Sequence, residues 1–331
     1  MTSTKTLPVP ACALAFACAL AIASSPALAE YPERPVTVVV PFPTGGPSDK
    51  IARDVAEALH KTLNQTVIVD NTAGAGGTIG TARVAHAAPD GYTLLVHHIG
   101  LSTAPALYKS LGYKTGDLAF LGLINEAPQV LITRPTQAAG NFAELRKYIA
   151  EQDSKINMAN AGIGSASHLC GLMLQSQLKS HMTFVPYKGT GLAMTDLIGG
   201  QVDVMCEQAT SAIPQIEAKR VKVYAITSTK RLDLPATAGL PTIDESGLKG
   251  FNVTVWHGLY APRGTPPAVL GKLNTALRAA LKDADMIKRW EPLGITVVSD
   301  DRLSPAGHRR FFDAESARWS KVIREAGIQP E

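Results

Sequence analysis

The chain has 331 residues, of which 45% are hydrophobic and 18% are charged, and its formal net charge is +4. This composition is ordinary for a globular protein, and the length is sufficient for two domains of typical size. Basic residues are spread along the chain without a run of Lys or Arg, which argues against nucleic acid or an anionic membrane as a partner.

The N-terminal segment has the pattern of a secretory signal. An apolar run covers residues 11–22, which is shorter than the roughly 18 residues that a membrane-spanning helix needs. Ala27 and Ala29 place small side chains at the two positions that a signal peptidase reads. We therefore expect residues 1–29 to be a signal peptide that is cleaved after Ala29, so that the mature chain is exported.

Two of the four cysteines, Cys12 and Cys18, fall within this signal. The other two, Cys170 and Cys206, would reach a compartment in which disulfides persist, but both lie in apolar stretches. We expect two buried free thiols and keep a disulfide as the alternative. Neither cysteine has the additional nearby ligands that a zinc site requires, and we expect no metal and no other cofactor.

From residue 36 onward, short apolar runs alternate with helical patterns. The predicted helices include residues 48–63 and 142–150. The predicted strands cover residues 36–40, 67–69, 92–96, 130–133, 156–159, 183–185, 202–205, 221–226 and 253–260. This alternation is typical of mostly parallel sheets flanked by helices, so the predicted fold class is α/β.

The alternation breaks at residues 120–134, where extended chain continues for about twice the usual strand length. Such a segment can leave one sheet and enter another, and residues 252–261 can cross back. Two crossings predict two lobes. The first lobe would contain residues 31–124 and 255–331, and the second would contain residues 125–254.

A glycine-containing loop follows the first predicted strand and leads directly into a helix. Ligands of open parallel sheets bind at the carboxyl ends of the strands, and helix N-termini attract anions. Gly45 and Gly46 would let the backbone approach a ligand closely. Ser48 or Asp49 is expected to cap the helix.

A second loop, at residues 160–164, repeats this arrangement in the other predicted lobe. It contains Gly162 and Gly164 and leads into a helix that begins with Ser165, Ser167 and His168. Two such loops, one in each lobe, favour a ligand between them over glycines that merely turn the chain.

Further candidates lie at the same predicted edge. Lys188, before another helix, could offer a point charge to a carboxylate. His97 and His98 end a strand there, and one of them could face the ligand.

Enzymatic alternatives have weaker support in the sequence. The glycines at residues 74–80 and 162–164 fail the spacing of a dinucleotide-binding loop. Ser165, Ser167 and His168 are close together, but neither serine lies in a G-x-S-x-G motif, and neighbouring residues on a helix point in different directions. We expect the protein not to be an enzyme and keep an exported Ser/His hydrolase as an alternative.

Eight short motifs follow one another over almost the whole mature chain: YP with RP at 31–35, VPFPTGGPSD at 40–49, GAGGTIG at 74–80, APDGY at 88–92, GSASH at 164–168, VPYKG at 185–189, GGQVD at 199–203 and WHGL at 256–259. In this order they resemble the periplasmic solute receptors of tripartite tricarboxylate transporters, often called Bug receptors. The combination is specific, although each motif alone is weak.

The resemblance implies a two-lobed periplasmic binding protein of the Venus-flytrap, type II-like kind. Such a receptor captures a small carboxylate, here an aliphatic or aromatic mono- or dicarboxylic acid, and delivers it to a separate membrane permease. It implies a monomer without a nucleic-acid partner, in which the loop at 42–49 faces the loop at 161–168. In the family, backbone amides and ordered waters hold the carboxylate. A ligand-binding partner of a signalling system would fit the same residues and remains an alternative.

Within this frame we expect backbone donors at Gly45, Gly46, Gly162 and Gly164 and hydroxyl donors at Ser48, Ser165 and Ser167. Selectivity is assigned to His98 and Glu207, and the remaining predicted contacts are Phe42, Thr44, Asp49, Ala161, His168 and Lys188. Glu207 and Gln208 stand where the family commonly has Asp-Asn. An additional acid would disfavour citrate-like anions, or favour a ligand with a proton donor or an ammonium group. His98 keeps aromatic acids open as ligands.

Overall fold

The computed structural model describes residues 31–330, together with Thr2. Every element named below lies within one compact unit, Arg34–Glu331. Apart from Thr2, the predicted signal peptide at residues 1–29 lies outside the described residues, as do Cys12 and Cys18.

Strands and helices alternate through most of the described chain, which confirms the predicted α/β class. The strands are β1 (Val36–Val40), β2 (Val67–Asn71), β3 (Thr93–His98), β4 (Leu118–Thr133), β5 (Asn157–Asn160), β6 (Thr183–Pro186), β7 (Val204–Gln208), β8 (Lys222–Ile226), β9 (Thr254–Pro262) and β10 (Thr296–Val297). The α-helices are α1 (Pro47–Leu63), α2 (Thr78–Ala85), α3 (Gly100–Leu107), α4 (Phe142–Gln152), α5 (Ala166–Leu178), α6 (Thr190–Ile198), α7 (Ala209–Glu217), α8 (Pro267–Ala280), α9 (Ala284–Trp290) and α10 (Pro305–Glu325).

The strands pair in the order β2-β1-β3-β9-β4-β7-β5-β6, with β8 and β10 also paired to β4. The β2-β1-β3 and β7-β5-β6 groups are parallel, as the strand-helix alternation predicts. Between them, β9 and β4 run antiparallel to their neighbours. The sheet is therefore mixed, with a parallel group on either side of two long strands.

The long extended segment predicted from sequence is β4, and it changes partners along its length. From Leu118 to Pro128 it pairs with β9, and from Gln129 to Thr133 it pairs with β7 on one edge, while β8 pairs with it from Val130. One continuous strand thus belongs to both groups of strands, and Gln129 stands where the partner changes.

Helix α1 illustrates how the sequence determines a local element. Pro47 occupies its first turn, where a missing N–H costs nothing. Ile51, Val55 and Leu59 recur at helical spacing and are fully buried. The helix ends at Leu63, and its C-cap Asn64 has a left-handed φ of 51°. These features orient the start of α1 toward the carboxyl end of β1.

Buried apolar side chains cover both groups of strands. Val39 and Leu95 belong to a large cluster that also contains Trp256 and Phe312. A smaller cluster surrounds Val130, Ile132 and Met205 on β4 and β7. Each parallel group therefore has apolar packing of its own.

Cys170 on α5 and Cys206 on β7 form a disulfide, with their Cα atoms 6.1 Å apart. The expectation of two free thiols was wrong. Helix α5 packs directly on β7, and this separation falls within the range that a disulfide can span. Apolar surroundings did not distinguish the two states, because a buried disulfide and a buried thiol occupy the same kind of site.

Candidate functional site

A cavity of about 620 Å³ lies where β1, β5 and β7 end and the helices that follow them begin. Eleven of the predicted site residues line it together: Phe42, Thr44, Gly45, Gly46, Ser48, His98, Ala161, Ser165, Ser167, Lys188 and Glu207. The two glycine loops singled out in the sequence therefore face the same space.

Four predicted residues are not among those that line the cavity: Asp49, Gly162, Gly164 and His168. Their hydrogen bonds run within the loops instead. These four residues therefore hold the loops in shape and do not line the cavity themselves.

Asp49 holds the first loop in shape. Its Oδ2 accepts a 2.9 Å hydrogen bond from the Gly45 N–H, and its carboxylate forms an ion pair with Arg53. Burial opposes the charge of Asp49, but the hydrogen bonds from Arg53, Gly45 and Asn71 outweigh it and lower the pKa of the carboxyl. Gly45 has a φ of 82°, which favours glycine at this turn.

Within the described residues, α1 has no side-chain cap of the kind that the sequence predicted. The N-cap is Gly46, and no side chain accepts a hydrogen bond from the first turn. Ser48 and Asp49 lie inside the helix, so the prediction that either would cap it was wrong. Pro47 sets the start of the helix one residue earlier than the polar side chains suggested.

The second loop is also internally bonded. The Gly162 N–H donates to Asn160 Oδ1 at 3.0 Å, and the Gly164 N–H donates to His168 Nδ1 at 3.2 Å. The Ala161 N–H donates to Ser167 Oγ at 2.9 Å. In this structure the loop amides shape the wall, and they are not free to bind an anion.

Four helices begin at the cavity. Pro47, Ala166 and Thr190 are the first residues of α1, α5 and α6, and Gln208 is the N-cap of α7; all four residues line the cavity. The amides of a first helical turn have no partner within the helix, and the helix dipole makes this end positive. The main chain therefore makes the cavity attractive to negative charge.

Two serines at the start of α5, the N-cap Ser165 and Ser167 in the first turn, keep one hydroxyl proton available to the cavity. Ser165 Oγ accepts from the His168 N–H, and Ser167 Oγ accepts from the Ala161 N–H. The two hydroxyls lie 3.1 Å apart, so one proton is used between them. Since each hydroxyl has one proton, the pair keeps one for a partner in the cavity.

Aromatic side chains form another wall. The His98 ring stacks on Phe42 with 4.3 Å between centroids, and His97 packs edge-on against both. Burial lowers the pKa of His98 to about 3 and takes the pKa of His97 well below its usual value. These histidines are therefore neutral at physiological pH. Of the two, His98 lines the cavity.

Ser48 also faces a histidine. Its Oγ lies 3.0 Å from His257 Nε2, and burial holds the pKa of His257 well below the ordinary value. No acid of the described chain contacts the other ring nitrogen, Nδ1, which has no hydrogen-bond partner there. The pair thus lacks the group that orients histidine in a catalytic triad.

Glu207 is the only acid among the described residues that line the cavity, and Lys188 is the only Lys or Arg. Burial raises the pKa of Glu207 to about 8, although hydrogen bonds from the Gln208 amide and Thr190 lower it in part. Glu207 is therefore mostly protonated at neutral pH. It does not add the negative charge that the sequence alone suggested.

Ten lining residues were not predicted: Pro43, Pro47, Gln129, Ala166, Gly189, Thr190, Gly191, Leu192, Thr195 and Gln208. The stretch from Gly189 to Leu192 surrounds the start of α6, and the glycines next to Lys188 signalled it. Gln129 had no such signal, because it sits in the middle of a long extended segment.

Two kinds of feature are absent from the described residues. Between residues 31 and 330, no three His, Cys, Asp or Glu side chains are grouped as a metal ion would require. No helix in that range has the length and apolar character needed to cross a membrane.

Comparison with known proteins gives consistent matches. A family described as the tripartite tricarboxylate transporter family receptor matches residues 51–328. The structure of the periplasmic binding protein BugD is 46% identical with a TM-score of 0.87, covering 91% of this chain and all of its own. MatC from Rhodopseudomonas palustris with bound malate is 40% identical with a TM-score of 0.83, covering 88% of this chain and 100% of its own.

A third structure, of R. palustris Rpa4515 with adipate, is 31% identical with a TM-score of 0.85 and covers 91% of this chain and 100% of its own. The likeness to BugD confirms the predicted fold class, an α/β periplasmic binding protein.

Proposed function

The chain belongs to the tripartite tricarboxylate transporter receptor family, as its motifs predicted, and from this premise we propose that it captures a small carboxylate in the cavity described above. The observation that carries the proposal is the convergence of four helix N-termini on a cavity in which Glu207, the only acid that the described residues contribute, has its pKa raised to about 8. MatC with malate and Rpa4515 with adipate support an organic acid as the ligand class.

The energetics of such a site are adequate for a receptor. Each helix start contributes ~0.3–1 kcal/mol toward an anion, and up to about 2 kcal/mol when partly buried. Each charge-assisted hydrogen bond adds roughly 1.5–3 kcal/mol. Several such contacts can leave the ~8 kcal/mol that micromolar affinity requires after the cost of association.

We further propose that the ligand lies between two lobes, residues 31–124 with 255–331 and residues 125–254, which close on it by a hinge motion. The partner exchange of β4 at Gln129 supports a hinge at this strand. A contact between the two proposed lobes supports closure, because the Tyr108 hydroxyl donates to the Ile163 carbonyl at 3.0 Å. The ligand would bridge both lobes and stabilise the closed form.

The finer role rests on family membership. We propose export to the periplasm after removal of residues 1–29, function as a monomer, and delivery of the acid to a tripartite permease. A sensor that serves a signalling partner would bind equally well. Uptake of labelled acid by cells that lack the gene separates the two, because uptake is lost only if the protein is the transport receptor.

The hydrolase alternative has little support in the geometry. The Ser165 hydroxyl pairs with Ser167, while His168 Nδ1 accepts from the Gly164 N–H. Burial lowers the pKa of His168 to about 4, which makes it a weak base. If the protein were a hydrolase, small esters would turn over and Ser165→Ala would abolish that turnover.

A substitution at Gly46 tests carboxylate capture directly. Gly46 is the N-cap of α1 with an extended backbone, and a Cβ there would meet only the Pro43 carbonyl, at 3.4 Å. The Gly46→Asp carboxylate would bind the free amides of α1 in place of the ligand, and aspartate at an N-cap is more favourable than glycine by roughly a few tenths of a kcal/mol. We expect the melting temperature to hold or rise while acids no longer raise it.

The matched control is Gly46→Ala, which adds the same Cβ without a carboxylate and should keep the response to acids. The screen is thermal shift with succinate, malate, adipate and benzoate, followed by calorimetry of those that respond. If no acid stabilises the wild-type protein, or if Gly46→Asp responds as the wild type does, the proposed site is wrong.

A further inference from the structure

Among the side chains that line the cavity, His98 and Gln129 each have a polar atom without a hydrogen-bond partner in the described chain, as does Gln208 at Nε2. His98 lines the cavity from β3, and Gln129 lines it from the point where β4 changes partners. The backbone determines the chemical form of each side chain. Together they describe the ligand more narrowly than the positive helix ends do.

His98 is a donor with a fixed tautomer. Its Nδ1 lies 2.8 Å from the backbone N–H of Gly100, which can only donate. Nδ1 must therefore carry the lone pair, and the single proton of the neutral ring sits on Nε2. No described residue is hydrogen-bonded to His98 Nε2, so this N–H is available to an acceptor in the cavity.

Gln129 is an acceptor with a fixed orientation. Its Nε2 donates to the Ala166 carbonyl at 3.0 Å, and since that carbonyl can only accept, the amide cannot be flipped. Its backbone is held by Thr227, whose hydroxyl bonds to both the N–H and the carbonyl of Gln129. The remaining atom, Oε1, is buried and has no partner among the described residues. A buried carbonyl oxygen in this state calls for a donor.

We propose that the ligand is a carboxylic acid that also carries a hydrogen-bond donor, a hydroxyl or an ammonium group, which binds Gln129 Oε1 while His98 Nε2 donates to an oxygen of the ligand. A plain mono- or dicarboxylate supplies acceptors only and leaves Gln129 Oε1 unsatisfied. This inference rests on the carboxylate-binding function proposed above and narrows its substrate class.

The electrostatics of the cavity favour the hydroxyl as the source of the donor. An ammonium group would enter a space lined by positive helix ends and by Lys188. Glu207 offers it little compensation, because burial raises the pKa of this acid to about 8 and keeps it mostly protonated. An uncharged hydroxyl avoids this repulsion.

Three acids that differ at one substituent form the test: succinate has hydrogen, malate hydroxyl and aspartate ammonium at the same carbon. We expect wild-type protein to bind malate roughly five- to a hundredfold more tightly than succinate, the range expected when a buried acceptor gains its partner. If aspartate shows the larger gain over succinate, the donor is an ammonium group. If wild-type protein binds succinate as tightly as malate and aspartate, or more tightly than both, the proposal is wrong, and no variant is needed to show it.

Two variants assign the roles. Gln129→Met removes the acceptor with a side chain of similar length, and we expect the preference over succinate to disappear while succinate itself still binds. His98→Phe keeps the stack on Phe42 but loses the donor, and we expect both acids to weaken together, by roughly tenfold or more. A preference that survives in Gln129→Met contradicts the assignment of Oε1.

The histidine also has a spectroscopic signature. In ¹⁵N-labelled protein at pH 7, the His98 ring should show a proton on Nε2 and none on Nδ1. A proton on Nδ1 and none on Nε2 refutes the donor role. Failure of all three acids to bind would instead count against the proposed function.

Discussion

Glu207→Gln should change how the stability of the protein depends on pH. Glu207 is 2% exposed, and burial raises its pKa from 4.5 to about 8. The folded state therefore holds a proton that the unfolded chain releases above pH 4.5. A raised carboxyl pKa gives stability that is complete below pH 4.5 and is lost as the pH rises through about 8.

The magnitude follows from the displacement of the pKa. Each pKa unit is worth ~1.4 kcal/mol, so the full displacement corresponds to about 5 kcal/mol, of which about 3 kcal/mol is lost between pH 5 and pH 8. Glutamine has nearly the same shape, cannot ionise and can still bond to Thr190. Relative to wild type, Glu207→Gln should thus gain about 3 kcal/mol of unfolding free energy over this interval.

The assay is urea unfolding followed by tryptophan fluorescence at pH 5, 6.5 and 8. Buried neutral histidines such as His168 and His98 add a dependence of opposite sign, because the unfolded chain protonates them at low pH. That contribution is common to both proteins and cancels in the difference. Glu217→Gln, at an exposed position on α7, is the control and should run parallel to wild type. A parallel curve for Glu207→Gln would refute the reasoning.

Two further predictions concern the close approach of Gly100 to the second loop and the disulfide between α5 and β7. A Cβ at Gly100 would lie 2.6 Å from the Gly164 carbonyl oxygen, so Gly100→Ala should lower the free energy of unfolding by about 1–3 kcal/mol, the usual cost of overpacking. Gly116→Ala, where a Cβ meets nothing within 4 Å, should unfold in urea as wild type does, and an equal loss in both variants contradicts the close contact. Replacing both Cys170 and Cys206 by alanine should lower the unfolding free energy by about 4 kcal/mol, from the loop entropy of their 36-residue separation, and a loss below ~1 kcal/mol in urea unfolding would contradict that account.

The fold was largely predictable because its periodicities are strong. The β1 strand matched the prediction at both ends, and β4 was expected at 120–134 and occurs at Leu118–Thr133. Both strands are buried over most of their length, and this burial accounts for the runs of hydrophobic residues that predicted them. The point at which β4 changes partners was not predictable, because one extended pattern serves both sets of neighbours.

The site was predictable in location more than in chemistry. Glycines before α1 and α5 marked the two facing loops, but the direction of each N–H depends on tertiary contacts. The Gly164 amide turned to His168, and the Gly45 amide turned to Asp49. The ionisation of Glu207 could not be predicted either, because a carboxyl changes its pKa only when water is excluded around it.

The four helix starts have a consequence for how such a receptor can diversify. Peptide amides do not titrate in the physiological range, and among substitutions only proline removes one, so the attraction for negative charge persists when side chains around it are exchanged. Substitutions at positions such as Gln129 or His98 can redirect the preference from one acid to another without first dismantling the anchor. Such a receptor can therefore acquire a new ligand without passing through a form that binds no acid.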